Sequence, residues 1–162
     1  MNKETLIIGL GNPILTDDAV GIKVARALEA GDSMGGEGLP DGVQVAEASV
    51  GGLRLMELMI GYERVVLIDA IKTPGGQPGH VSILSVDALP RTLNTASSHD
   101  TNLTTALEAG RRLGAKLPAD EHIHIVAIEA EDVLTFGERC TPAVEAAIPL
   151  AERVVRQLLE NT

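Results

Sequence analysis

The sequence predicts an α/β fold: a three-layer sandwich in which a twisted, mostly parallel sheet of five or six strands carries helices on both faces. Strand-like apolar runs alternate with amphipathic runs along the 162 residues, which is typical of parallel strands joined by crossover helices. The run Val65–Ile68 is continuously apolar and rich in β-branched side chains, as in a strand covered on both faces. His80–Val86 follows a Pro- and Gly-rich turn, which predicts one antiparallel strand. The length fits a single domain over residues 1–162.

Five runs are predicted to be strands. Thr5–Gly9 is a short apolar run closed by a glycine-containing turn, and Val43–Ala48 alternates between apolar and polar side chains. Val65–Ile68 is the buried strand, His80–Val86 is a hairpin partner or edge strand, and His122–Ile128 is apolar and β-branched over most of its length. Because functional groups gather where parallel strands end, the residues that follow these runs are the first candidates for a site.

Four runs are predicted to be helices. Ala19–Ala30 and Leu53–Ile60 both place their apolar side chains on one face of a helix. Thr101–Leu113 begins at a polar residue that suits an N-cap. The last helix is opened by Thr141 as N-cap with Pro142 at the first helical position, and it is predicted to run to about Glu160.

Composition excludes several classes of function. The net charge is −10 at pH 7, so phosphate backbones and anionic lipid surfaces are repelled. Tyr62 and Phe136 are the only aromatic residues, which leaves no platform for stacking nucleic-acid bases. Cys140 is the only cysteine, so neither an internal disulfide nor a cysteine-rich zinc site is available. Without a signal peptide or an apolar run of about 18 residues, we expect a cytoplasmic protein with no nucleic-acid or membrane partner.

The turn after the first strand contains an incomplete dinucleotide-binding fingerprint. Gly9 and Gly11 match its opening, but Ile14 stands where a third glycine is needed and Pro13 removes a backbone donor. A Rossmann-type site is therefore disfavoured. We expect Gly9, Gly11 and Asn12 instead to form the floor of a cleft, where a larger side chain would block the approach of a backbone.

Two adjacent acids, Asp17 and Asp18, lie directly before the first predicted helix. One carboxylate fits the role of an N-cap that accepts hydrogen bonds from the first backbone amides of the helix. Two neighbouring carboxylates repel each other, which favours a cation or a substrate proton beside the second. Both interpretations stay open from the residues alone, and Asp17 is also a candidate for orienting a metal ligand through a hydrogen bond.

Asp69 and His99 complete a candidate metal site with Asp18. Asp69 directly follows the apolar run Val65–Ile68, where burying a carboxylate is costly unless it is paired or bound to a metal. His99 precedes a helix, whose dipole favours the neutral, metal-binding imidazole. The alternatives are a solvent-facing or turn-capping acid and a surface histidine. Two carboxylates and one imidazole form an open set that suits a divalent ion such as Ni, Zn, Co or Fe(II).

Nucleophilic catalysis has weaker support. Ser97 and Ser98 adjoin His99, but the sequence contains no G-x-S-x-G nucleophile elbow. Cys140 lacks a local base and fits a small, half-buried hydrophobic residue, although a helix N-terminus is able to lower the pKa of a thiol. The catalytic nucleophile is therefore not identified, and a bound water is a candidate.

Four segments, in order, resemble the hydrogenase maturation proteases. GLGNPILTDDAVG resembles the opening of that family, VVLIDAI its aspartate segment, SSHD its histidine segment and CTPAVEAAIP its closing Thr-Pro-x-Val-Glu segment. The resemblance extends from Leu6 to about Pro149. It is less close in Glu47–Gly52, at Asp100 and at Cys140, which implies a divergent branch and leaves the partner and the docking of the substrate open.

The resemblance implies an endopeptidase that removes the C-terminal extension of the nickel-loaded large-subunit precursor of a NiFe hydrogenase. It implies that Asp18, Asp69 and His99 bind the metal, and that nickel, supplied by the precursor, is the recognition signal; other divalent metals are able to occupy such a site. The expected partner is the precursor, and the protein is expected to be a monomer or a weak homo-oligomer. The main alternative is a nickel-checkpoint or metal-binding protein that does not cut.

A second resemblance is weaker. GLGNP also resembles the start of peptidyl-tRNA hydrolases, which have a related α/β architecture. That family continues with a Thr-Arg-His-Asn segment that carries its catalytic histidine, whereas this sequence continues with TDDAVG. A net charge of −10 also opposes the binding of a tRNA.

Overall fold

The computed structural model describes residues 4–31, 38–49, 51–88 and 103–161. Its strands are β1 (Thr5–Leu10), β2 (Val43–Ala48), β3 (Arg64–Ile71), β4 (Val81–Ser85) and β5 (Ile123–Glu129). Its α-helices are α1 (Val20–Ala30), α2 (Leu53–Met59), α3 (Leu103–Arg112) and α4 (Pro142–Glu160). A 3₁₀ turn, Thr16–Ala19, leads into α1. Within the described ranges, no helix is long and apolar enough to cross a membrane.

The five strands form one sheet in the order β2-β1-β3-β5-β4. Neighbouring strands are parallel except for β4, which pairs with β5 in the antiparallel direction. The predicted mostly parallel sheet with one antiparallel edge strand is therefore confirmed. The three central strands, β1, β3 and β5, are parallel, so their carboxyl ends lie on the same side of the sheet. We call this side the carboxyl edge of the sheet, and it is where a functional site is expected.

Helices cover both faces of the sheet and bury an aliphatic core. On one face, α1 and α4 pack against the side chains of Ile7, Ile68 and Val126. On the other face, α2 and α3 pack against Leu67 and Ile125. The predicted three-layer arrangement follows from this, because each strand of the centre buries alternate side chains on opposite faces.

Strand β3 is longer than the sequence pattern predicts. The prediction that it ends at Ile68 is wrong: it continues to Ile71, so that Asp69 lies inside the strand and is 5% exposed. The reason is pairing with β5, because Asp69 is the register partner of Ala127 and Ile71 is the partner of Glu129. The hydrogen bonds between β3 and β5 thus extend β3 past Asp69, although the local sequence resembles a strand that ends at an acid.

Helix α1 lies unusually close to the ends of β1 and β3. A Cβ atom added to Gly21 would collide with the carbonyl oxygens of Leu10 and Ile68, and one added to Gly9 would lie 2.5 Å from the carbonyl oxygen of Gly21. Only glycine allows this approach of two backbones. The contact holds the 3₁₀ turn directly before α1 against the ends of the two central strands.

Candidate functional site

Acidic side chains gather at the edge of the sheet where the central strands end. The register of β1 and β3 pairs Gly9 with Ile68, so Asp69 lies just beyond the last paired residues of the two strands. The 3₁₀ turn that carries Asp18 packs on β3. The structure therefore brings Asp18 and Asp69 to the same edge, as expected for residues that follow parallel strands.

The carboxylate of Asp18 is held over the end of β1. Its Oδ2 accepts a hydrogen bond of 2.9 Å from the backbone N–H of Asn12. Gly11 has a φ of 137°, and a Cβ atom there would collide with the carbonyl oxygen of Asp18. The side chain of Asn12 in turn accepts the N–H of Ile14 at 3.1 Å, so the turn is fixed by its own polar groups. Gly11 and Asn12 thus form the support on which Asp18 rests.

Asp69 is buried and shares a strand face with Leu67 and Ile71, the face covered by α2 and α3. Helix α3 runs antiparallel to β3, because the carbonyl of Lys116, after the helix, accepts the N–H of Gly61, just before β3, at 2.8 Å. The carboxyl end of α3 therefore lies near the start of β3, and its amino terminus points toward the end of the strand that carries Asp69.

The third predicted ligand, His99, lies outside the described residues, as do Ser97 and Ser98. Across residues 4–31, 38–49, 51–88 and 103–161, no group of three histidine, cysteine or acidic side chains is placed to hold a metal ion. The predicted site of Asp18, Asp69 and His99 stays a prediction for this reason.

Asp17 is fully buried, and it does not cap the helix that follows it. The 3₁₀ turn and α1 have no side-chain cap, so the N-cap interpretation is wrong for Asp17. Its Oδ2 instead accepts the backbone N–H groups of Glu131 at 3.0 Å and Asp132 at 2.9 Å. Thr141, the N-cap of α4, donates its N–H to Oδ1 at 2.7 Å and its hydroxyl to Oδ2 at 2.8 Å. One carboxylate thereby joins the turn after β1 to both ends of the loop that follows β5.

This loop, residues 131–140, is bound to the turn of Asp18 along its length. Gly137 donates its N–H to the carbonyl of Ile14 at 2.8 Å and accepts the N–H of Thr16 at 3.0 Å. Asp132 accepts the N–H groups of Leu134 and Thr135, both at 3.0 Å, which closes a tight turn. Hydrogen bonds from the side chain and backbone of Thr135, and then from Leu134, lower the pKa of Asp132.

Glu129 is an acidic residue at this edge that the sequence analysis did not single out. It is 4% exposed, and its Oε1 accepts the N–H and the hydroxyl of Thr73 at 2.7 Å and 2.9 Å. A Cβ atom on Gly76 would collide with the same carboxylate. Glu129 therefore fixes the connection between β3 and β4. The sequence contains a signal for this position, because Glu129 directly follows the apolar run that ends at Ile128, just as Asp69 follows Val65–Ile68.

Cys140 is buried at the end of the 131–140 loop. Its sulfur lies 3.7 Å from the carbonyl oxygen of Thr16, to which the thiol donates. Burial raises the pKa of the Cys140 thiol to about 11. A protonated, buried thiol is a poor nucleophile, so the geometry favours the interpretation of Cys140 as a small core residue.

We expect the native protein to resist alkylation of Cys140 by iodoacetamide at pH 8, because almost none of the thiol is ionised there. In urea the same thiol should react fully, since unfolding restores an ordinary cysteine pKa of about 8.5. Intact-mass spectrometry of the two samples gives the answer. Rapid modification of the native protein at pH 8 would contradict the buried, protonated thiol and would return Cys140 to the list of candidate nucleophiles.

Comparison with known proteins gives consistent matches. The family HycI, hydrogenase maturation protease, matches residues 22–158. The hydrogenase 2 maturation protease of Escherichia coli K12 is 32% identical over 158 residues, which cover 96% of this chain and 91% of the relative. The hydrogenase expression/formation protein HupD of Rhizobium leguminosarum is 26% identical over 156 residues, or 94% of this chain and 73% of that protein.

Two solved structures are similar over nearly their whole length. The hydrogenase maturating endopeptidase HybD from E. coli superimposes with a TM-score of 0.80 at 30% identity, covering 97% of this chain and 92% of that one. The NiFe hydrogenase maturation protease HybD from Thermococcus kodakarensis superimposes with a TM-score of 0.69 at 26% identity, covering 96% of this chain and 98% of that one.

Proposed function

This chain belongs to the hydrogenase maturation protease family, and from this premise we propose that it removes the C-terminal extension of the nickel-loaded large-subunit precursor of a NiFe hydrogenase. Membership confirms the resemblance carried by its four sequence segments, and the family is one of endopeptidases. The substrate of this chain is accordingly a hydrogenase large-subunit precursor. The use of nickel for recognition, and the residues that bind it, are parts of the proposal.

The observation that carries the proposal is that Asp18 and Asp69 both lie at the carboxyl edge of the sheet. Asp18 is held by the amide of Asn12, and Asp69 is almost fully buried on β3. Hard and borderline divalent cations accept carboxylate oxygens readily, and an imidazole completes a set that suits nickel. His99 is proposed as that imidazole.

The chain connectivity supports a place for His99 in this set. His99 precedes Leu103, the first residue of α3, by four residues, and four residues span at most about 14 Å. Leu103 belongs to the same core cluster as the neighbours of Asp69 on β3, Leu67 and Ile71. The covalent chain thus allows His99 to reach the edge at which Asp18 and Asp69 lie.

In this proposal the nickel arrives as part of the substrate. Asp18, Asp69 and His99 bind it, and binding places the peptide bond of the precursor beside the edge of the sheet. A metal held there supplies Lewis-acid polarisation of the scissile carbonyl and lowers the pKa of a bound water. Gly11 and Asn12 hold Asp18 at this edge, since Asn12 donates its N–H to the carboxylate and only glycine at position 11 leaves room for the carbonyl of Asp18.

The test compares nickel-loaded and nickel-free precursor as substrates for the wild-type protein, with intact mass as the readout. Only the nickel-loaded precursor should lose its C-terminal extension, and many precursors should be cut per molecule of protein. Cleavage of both forms at the same rate would contradict nickel recognition. Stoichiometric binding of the loaded precursor without a loss of mass would contradict the protease and favour a checkpoint protein.

We also propose that the protein acts in the cytoplasm as a monomer or a weak homo-oligomer. The chain has one cysteine, Cys140, and so lacks the disulfide framework that small secreted domains use. No divalent cofactor of the protein's own is required in this scheme, although other divalent ions are able to occupy the same donor set.

A further inference from the structure

Three large apolar side chains are exposed beside the site. Phe136 is 77% exposed, Leu134 is 76% exposed and Ile14 is 48% exposed. We call these three residues the apolar ridge. Phe136 is the only phenylalanine in a chain with two aromatic residues, and it lies in solvent rather than in the core. A cluster of exposed apolar groups, unlike a single one, marks a site of interaction.

The ridge is held by backbone hydrogen bonds, so its side chains are presented from a firm support. Leu15 and Gly137 form a parallel bridge, which places the preceding residues, Ile14 and Phe136, side by side. The carboxylate of Asp132 closes the turn that carries Leu134. Groups that are already ordered lose little conformational entropy when a partner covers them, which makes such positions effective anchors.

A cavity of about 310 Å³ lies next to the ridge. Its floor is apolar and consists of Pro13, Ile14, Ala19 and Ile22. Lys23, Arg26 and Glu138 form its rim, and Lys23 donates to the carbonyl of Glu138 at 2.7 Å. The surface thus offers both projecting and recessed apolar groups, as protein-docking surfaces do. Its volume suits one or two side chains of a partner.

The ridge is continuous with the turn that carries Asp18. Ile14 lies on this turn, between Asn12 and Asp18, and Phe136 is joined to it through the hydrogen bonds of Gly137. A protein substrate bound at Asp18 therefore meets the ridge. We propose that the apolar ridge docks an apolar surface of the hydrogenase large-subunit precursor and thereby sets the affinity of the protease for its substrate. This inference rests on the proposed function.

Charge indicates the kind of surface that fits. Glu131 and Glu138 are exposed near the two ends of the 131–140 loop, and the chain as a whole carries a net charge of −10. The complementary patch on the precursor is apolar at its centre and basic where it faces Glu131 and Glu138. A second copy of this chain is a poorer occupant, because it is acidic as well and because stable dimers bury about 1,200 Å² or more, which exceeds three side chains.

The test uses Phe136→Ser, with Leu113→Ser as its matched control. Leu113 is 88% exposed and follows α3 at the opposite edge of the sheet. The Michaelis constant for nickel-loaded precursor should rise about tenfold in Phe136→Ser, the size expected for the loss of one aromatic anchor, with kcat changed less than about twofold. Leu113→Ser should match the wild type, and Phe136→Leu should keep most of the affinity.

The outcomes separate this inference from the proposed function. Equal Michaelis constants for Phe136→Ser and Leu113→Ser, at equal unfolding midpoints, would overturn the docking surface while leaving the protease in place. Self-association of the wild type that is lost in Phe136→Ser would also overturn it and assign the ridge to a second copy. If the wild type binds the loaded precursor without cutting it, the proposed function fails, yet weaker binding by Phe136→Ser still supports the ridge. A wild type that neither binds nor cuts would overturn both.

Discussion

Asp18→Ala, Asp69→Ala and His99→Ala are each expected to abolish cleavage of the nickel-loaded precursor, with a loss of at least about 1000-fold. The removal of one stabilising donor in an enzyme site costs about 100- to 1000-fold by itself, and each of these residues is proposed to bind the metal directly. Intact-mass spectrometry over a time course measures the rates. Trimming at the wild-type rate by any one variant would remove that residue from the site.

Asparagine variants of Asp18 and Asp69 distinguish a loss of catalytic activity from a loss of the folded structure. Asp18→Asn keeps an oxygen that is able to accept the N–H of Asn12, and Asp69→Asn keeps the volume of a buried side chain. Both should retain the wild-type fold while losing activity. Glu108→Gln is the matched control, because Glu108 is exposed on α3 and pairs only with Arg112 among the contacts described for it. It should cut normally.

A nickel titration tests the same residues without a precursor. Calorimetry of the wild type and of His99→Ala should show one Ni(II) site that the variant loses, because two carboxylates and an imidazole already make a binding set. Binding by neither protein, together with normal cleavage by the wild type, would mean that the precursor must supply the remaining ligands of the nickel. Equal binding by both proteins would exclude His99 as a ligand.

Asp17→Ala is expected to destabilise the protein by about 3–5 kcal/mol. The carboxylate is fully buried and accepts three backbone N–H groups and one hydroxyl. Its loss leaves these donors without an acceptor, and each unsatisfied buried donor costs about 1–3 kcal/mol. Urea unfolding followed by circular dichroism measures the change. A urea midpoint equal to that of the wild type would contradict the role of Asp17 in holding the turn after β1 against the 131–140 loop.

The control for Asp17 is the neighbouring acid Asp132, whose carboxylate also accepts two backbone N–H groups but lies at the surface. Asp132→Ala should lower the urea midpoint much less than Asp17→Ala does, since water satisfies exposed donors. Its contribution depends on pH: hydrogen bonds from Thr135 lower the native pKa of Asp132, so this stability is present at neutral pH and is lost as the pH falls through that lowered value. Asp17→Asn should lie between the wild type and Asp17→Ala.

Much of the fold could be predicted from local sequence. Strand β2 was predicted with the observed bounds, Val43–Ala48, because alternation of apolar and polar side chains marks a half-buried strand. The last helix begins at Pro142 after its N-cap Thr141, as predicted. The position of Asp18 and Asp69 at one edge also followed, because parallel strands end together. The metal site itself stays a prediction, since His99 is outside the described residues.

Contacts between distant segments could not be predicted in this way. Asp17 was interpreted either as a helix cap or as a residue that orients a metal ligand, but its carboxylate oxygens accept N–H groups 114 to 124 residues further along the chain. The continuation of β3 through Asp69 depends on its pairing with β5, and the role of Glu129 depends on the return of Thr73 to the same edge. None of these partners is visible in a local window.

The sequence by itself determined the alternation of strands and helices, the acids at or near the carboxyl ends of the strands and, through four ordered segments, the family. The tertiary structure alone decided what the buried carboxylates of Asp17 and Glu129 do. The physical reason is that a polar group in the core must find its hydrogen-bonding partners wherever the fold brings them. For Asp17 these partners lie in the loop after β5, which places Phe136 next to the turn of Asp18.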